Sequence, residues 1–102
     1  MRWAKAAEAV DVPPGTGRIV EVEGRRVALF NIAGTFHALN DLCSHMGGPL
    51  GNGRLDGHQV ICPWHGARFD VASGRVLTPP AGSNVQCYAV KVEEHLVLVA
   101  FD

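Results

Sequence analysis

The sequence predicts an all-β domain of antiparallel strands with a loop-rich functional segment at its centre. Three observations predict it. β-Branched and aromatic residues recur in short runs separated by Glu-Gly, Ala-Gly and Glu-Glu pairs. No stretch sustains a helical period. Residues 41–80 gather glycines and prolines in loop-like density. With 102 residues the chain suffices for one domain, 1–102, and not for two.

The elements follow in order. "WAKAAEAV" has helical propensity, but it is short and opens a β-rich chain, so a strand is expected. "GRIVEVEGRRVALFNIAGTFHALN" predicts strands over 18–22, 26–32 and 35–39, joined as hairpins at Glu23-Gly24 and Ala33-Gly34. In the second of these, Val27 and Leu29 alternate with Ala28 and Phe30, so both faces are expected to be covered. The central segment holds short strands at "HQVI" and "ARFDV" among turns. Towards the C-terminus Val85, Cys87 and Ala89 alternate with Gln86, Tyr88 and Val90, which predicts a buried thiol at Cys87. "HLVLVAF" then completes a hairpin after Glu93-Glu94. The architecture expected is a sandwich or small barrel with its function on loops.

Bulk properties exclude several classes. A net charge of −1 supplies no field for nucleic acid or an anionic membrane. The apolar run 96–101 is far shorter than the roughly 20 residues of a spanning helix. "MRWAKAAEAVDVPPG" lacks the apolar core of a secretory signal. A cytoplasmic chain is therefore expected, in which cysteines serve as ligands more often than in disulfides. Three is also an odd number for a disulfide framework.

The chemistry concentrates in Cys43-x-His45 and, sixteen residues on, Cys62-x-x-His65. One zinc with two cysteine and two histidine ligands is compatible with the residue types. Zinc fingers, however, usually place their cysteines together and their histidines together. Two similar loops, each giving sulfur to one iron and nitrogen to another, account better for the mixed order.

"CSHMGGPLGNGRLDGHQVICPWHGARFDVASG" resembles the cluster-binding region of Rieske proteins, most closely that of the small ferredoxins. The resemblance implies a Rieske-type β-sandwich with a cluster-binding region at about 41–80. It implies a [2Fe–2S] cluster with Cys43 and Cys62 on one iron and His45 and His65 on the other. It also implies an electron carrier rather than an enzyme, passing one electron from a reductase to a terminal oxygenase of the aromatic-ring dioxygenase type. The partners would dock transiently on a monomer, around a rim of Met46, Pro49, Leu50, Trp64, Pro79 and Pro80. The small subunit of an assimilatory nitrite reductase is a second reading, and a structural zinc module the non-redox one. No second iron site of an oxygenase can be built in the remaining length.

Two cysteinates with neutral imidazoles leave the oxidised cluster uncharged, which raises its potential into the range of about −150 to +300 mV. Gly48 and Trp64 stand where high-potential relatives carry an inter-loop disulfide, and Ala67 and Phe69 where they carry hydroxyl donors. A potential near the low end is therefore expected. Histidine ligation further implies that the potential falls at alkaline pH. Gly47, Gly48 and Gly66 either let backbone N–H groups approach the cluster or simply make turns. His37, His58 and His95 read as structural or surface residues. Trp64 reads equally as a docking or a packing residue, and Asp41, Arg68 and Asp70 as ion-pair partners pinning the loops.

Overall fold

The computed structural model describes residues 2–43, 47–64, 66–78 and 82–101. His45, Met46, His65, Pro79 and Pro80 lie outside the described residues.

The first strand, β1 (Arg2–Glu8), ends in a 3₁₀ turn at Ala9–Asp11. Then follow β2 (Thr16–Val22), β3 (Arg25–Ile32) and β4 (Thr35–Asn40). These are the three predicted strands, each slightly longer than the sequence pattern. Both hairpins turn on two left-handed residues, Glu23-Gly24 at φ 52° and 79° and Ala33-Gly34 at φ 52° and 93°. Two such residues give the turn a twist that matches that of the strands it joins. The Asn31 side chain steadies the second turn by accepting the Gly34 N–H at 2.8 Å, while its amide donates to the Val12 carbonyl.

A 3₁₀ turn at Leu50–Asn52 leads to β5 (Arg54–Asp56), β6 (Gln59–Ile61) and β7 (Arg68–Asp70). The chain ends in β8 (Cys87–Tyr88), β9 (Val90–Glu93) and β10 (Leu96–Phe101). The strands form three antiparallel sheets, ordered β1-β10-β9, β2-β3-β4-β8 and β5-β6-β7.

The four-stranded sheet is the middle layer, and β3 shows why. Val27 and Leu29 are fully buried against Val97, Val99 and Phe101 of the outer sheet. Ala28 and Phe30 are fully buried against Leu50, Val60, Phe69 and Val71 of the third sheet and its loops. The period-2 alternation thus feeds two separate cores, and the second of them contains Cys43 and Cys62.

The predicted run from Val85 to Val90 is not one strand. At Ala89 the chain leaves the middle sheet for the outer one, where the Ala89 carbonyl accepts from Ala100 N–H. Cys87 is exposed, not buried. It lies in β8, the last strand of the middle sheet, and pairs with Leu39; among the described residues no further strand pairs beyond it. Leu50 also departs from expectation. It is fully buried in the 3₁₀ turn and belongs to the core, not to a surface rim.

Candidate metal centre

Two loops present the cysteines, and their backbones close in the same way. Cys43 N–H donates to the Gly48 carbonyl at 2.9 Å, and Gly47 N–H donates back to the Cys43 carbonyl at 2.8 Å. In the second loop Cys62 N–H donates to the Ala67 carbonyl at 2.8 Å, and Gly66 N–H to the Cys62 carbonyl at 3.0 Å. Gly47 and Gly66 take the same left-handed φ, 75° and 76°. Each is the fourth of four residues bridging the closing pair, and each takes a left-handed conformation that glycine adopts without a Cβ penalty. Counting from the cysteines, His45 is second in its loop and His65 third in its own, opposite Trp64 and Met46 respectively in the sequence register.

The glycines divide by physical role. Around Gly47 and Gly66 a Cβ would meet nothing within 4 Å, so these two serve conformation. Gly48 has no positive φ, but a Cβ there would lie 2.8 Å from the Cys62 sulfur and 3.2 Å from the Trp64 indole. Gly48 therefore serves space, bringing the first loop's backbone up to the second loop's sulfur.

Both cysteines are buried, at 3% and 2% exposure, and neither is in a disulfide. Ala67 and Phe69, fully buried, line the same cluster and bring no hydroxyl to it. Two buried thiols on matched loops, one under a glycine that admits close backbone approach, fit the sulfur side of an iron–sulfur cluster.

The first loop is pinned by Asp41. Its carboxylate is fully buried, accepts from Arg26 at 2.8 Å and from Gly51 N–H at 2.7 Å. Arg68 pairs with Asp56 at 2.9 Å and reaches Gln59 at 3.2 Å. Asp70 accepts from Ser73 N–H and hydroxyl, closing the turn after β7, rather than pairing with Arg68. The two share a face of β7, as alternate positions of a strand do, but the guanidinium and the carboxylate are each engaged by another partner. Arg26 was not singled out by the sequence; its one signal is a cationic residue in the strand paired with the one that leads into Asp41.

His58 and His95 lie exposed in turns, and His95 comes within 4.0 Å of Glu8. His37 is half-buried in β4, and its pKa is held below 6.5 by burial first and by His58 second, with Asp70 opposing. Trp64 is 56% exposed, and Leu42 and Leu77 are exposed apolar residues that the sequence reading passed over.

Comparison with known proteins settles the family. The Rieske [2Fe-2S] domain family matches residues 2–89. The chain belongs to this family. Its members carry a [2Fe–2S] cluster, which sets the zinc reading aside. The chain is 36% identical over 98 residues to the ferredoxin component of a naphthalene 1,2-dioxygenase system from Pseudomonas aeruginosa, covering 96% of this chain and 94% of that protein. Among solved structures, the ferredoxin of carbazole 1,9a-dioxygenase from Nocardioides aromaticivorans IC177 superposes with a TM-score of 0.92 at 28% identity, over 98% of both chains. A ferredoxin solved in complex with the oxygenase of carbazole 1,9a-dioxygenase superposes at 0.89 with 35% identity, over 96% of this chain and 92% of that one.

Proposed function

We propose that this Rieske chain is the electron-carrier component of an aromatic-ring dioxygenase system, with Cys43 and Cys62 holding one iron and His45 and His65 the other. The observation that carries the reading is the pair of buried cysteines on two loops with one backbone design. The near-full-length similarity to dioxygenase ferredoxins supports the choice of system. When bound, the cluster supplies reversible one-electron transfer.

The chain's own residues set the terms of that transfer. Burial of Cys43 and Cys62 keeps water from their sulfurs, and Ala67 and Phe69 add no hydrogen bond. Fewer donors stabilise the more negative, reduced state less, so the potential lies at the low end of the family range. Asp41 pins the first loop to Gly51 and Arg26, and Gly48 lets that loop's backbone come up to the second. The protein works as a cytoplasmic monomer, one domain over 1–102, that meets a reductase and a terminal oxygenase in turn. Contacts of this kind are small and brief. Among the described residues no helix is long and apolar enough to cross a membrane. The nitrite reductase reading is less favoured: a protein described as the small subunit of a nitrite reductase shares the fold over 99% of this chain at only 24% identity, whereas dioxygenase ferredoxin components are similar at 34–37%.

The test is reconstitution. Oxidation of an aromatic substrate by a purified reductase and oxygenase pair should depend on adding this protein, red-brown and paramagnetic once reduced. Conversion that proceeds equally without it refutes the assignment. Replacing any of the four ligands by alanine should remove the reduced protein's paramagnetic signal, and a midpoint well above zero would refute the low-potential reading.

A further inference from the structure

We infer that Trp64 is a positioning residue: its indole clasps the two cysteine loops together across Gly48 and shields the Cys62 sulfur from water. The inference rests on the reading that Cys62 is a cluster ligand.

Three observations carry it. First, the space above the Gly48 α-carbon is taken from two sides at once. A Cβ there would lie 3.2 Å from the indole Cγ and Cδ2 and 2.8 Å from the Cys62 sulfur. The indole, the Gly48 backbone and the sulfur therefore share one contact point, although Trp64 and Gly48 belong to different loops. Second, Gly48 is itself a structural member of the first loop, since its carbonyl accepts the Cys43 N–H. Pressure from the indole on Gly48 is thus pressure on the bond that closes the first loop. Third, Trp64 remains 56% exposed while Cys62 is only 2% exposed. One side of the ring meets solvent and the other the interior, as in a lid rather than a core residue.

The asymmetry between the loops supports the same assignment. Ala67 holds in the second loop the place of Gly48 in the first, accepting the cysteine N–H, and it keeps its Cβ fully buried. Only the first loop lacks a side chain there, and it is there that the Trp64 ring comes in from the other loop.

Truncating the ring opens the sulfur to water. Water donates hydrogen bonds to a cysteinate, and these favour the reduced, more negative state, so the potential rises. Loss of the contact also frees the loops to separate, so the cluster is released faster.

The experiment compares wild type, Trp64→Ala and Trp64→Phe as cluster-loaded proteins. The readouts are the midpoint by spectroelectrochemical titration and the rate of bleaching in an iron chelator, with circular dichroism to confirm the strands. Trp64→Ala should show a more positive midpoint and bleach several times faster than wild type. Trp64→Phe, which keeps a flat ring, should recover most of both. Wild-type values in Trp64→Ala overturn the inference. So does a Trp64→Phe protein with intact strands that behaves no better than Trp64→Ala. If Trp64→Ala retains too little cluster to titrate while Trp64→Phe retains it, the clasp is supported. Cys62→Ser separates the two readings. An unchanged spectrum there defeats the ligand assignment and this inference with it. An altered spectrum beside an unaffected Trp64→Ala defeats this inference alone.

Discussion

Asp41 offers the sharpest test of how the fold holds its first loop. The carboxylate is fully buried and has two partners, Arg26 at 2.8 Å and Gly51 N–H at 2.7 Å. In Asp41→Ala the Gly51 N–H loses its acceptor inside the protein, at a cost of about 1–3 kcal/mol. The Arg26 pair adds less than about 1 kcal/mol, because a half-exposed guanidinium returns to water when released. The total expected is about 1–4 kcal/mol. Asp41→Asn keeps an acceptor for Gly51 and should cost about half as much. Arg26→Ala leaves the carboxylate buried with one partner and should cost about 1–2 kcal/mol, below the range for a fully buried pair because Arg26 is half-exposed. The double variant should fall close to Asp41→Ala alone, since removing the carboxylate also removes what Arg26 neutralised. The assay is urea unfolding by circular dichroism, with cluster absorbance followed in parallel; midpoints are compared because a bound cofactor can break two-state behaviour. An Asp41→Ala loss below about 0.5 kcal/mol, or simple additivity in the double variant, refutes the reasoning.

Three further predictions follow from particular contacts. Gly74→Ala places a Cβ 1.9 Å from the Val85 carbonyl at φ +77°, and Val85 N–H bonds back to Gly74, so the backbone must shift. Its melting temperature should fall by roughly 10 °C or more, and an unchanged melt would contradict the geometry. Leu50→Ala empties a fully buried site beneath the first loop and should cost about 2–5 kcal/mol, read from the urea midpoint; a loss near zero would return Leu50 to the surface. Burial, then His58, lowers the His37 pKa below 6.5, so between the two pKa values the unfolded chain binds more protons than the folded one. His37's contribution is complete above that window, declines as pH falls through it and levels off below. His37→Gln should flatten this part of the curve in urea midpoints taken at several pH values, and an unaltered slope would refute the assignment.

Much of this was legible along the chain because the signals are local. The hairpins at Glu23-Gly24 and Ala33-Gly34 depend on two adjacent residues that take positive φ. The alternation in β3 already held two cores, since successive side chains must point to opposite faces. The Cys-x-His and Cys-x-x-His spacings stand as written, and the family they indicate is the family to which the chain belongs.

Where the sequence reading stopped or failed, the deciding neighbour was distant in the chain. The pattern around Cys87 reads as an inward position, but only the sheet order shows that β8 is the edge strand among the described residues. Leu50 reads as a loop apolar residue free to face solvent, and only the third sheet closing over it makes it core.

The sequence by itself determined most of the strands, the turns and the spacing of the proposed ligands, because each depends on residues within a few positions of one another. The tertiary structure alone decided what the loops that carry them lean on. Arg26 meets Asp41, and Trp64 meets Gly48, across separate elements. Such contacts depend on how sheets and loops pack in three dimensions, and no spacing along one strand encodes them.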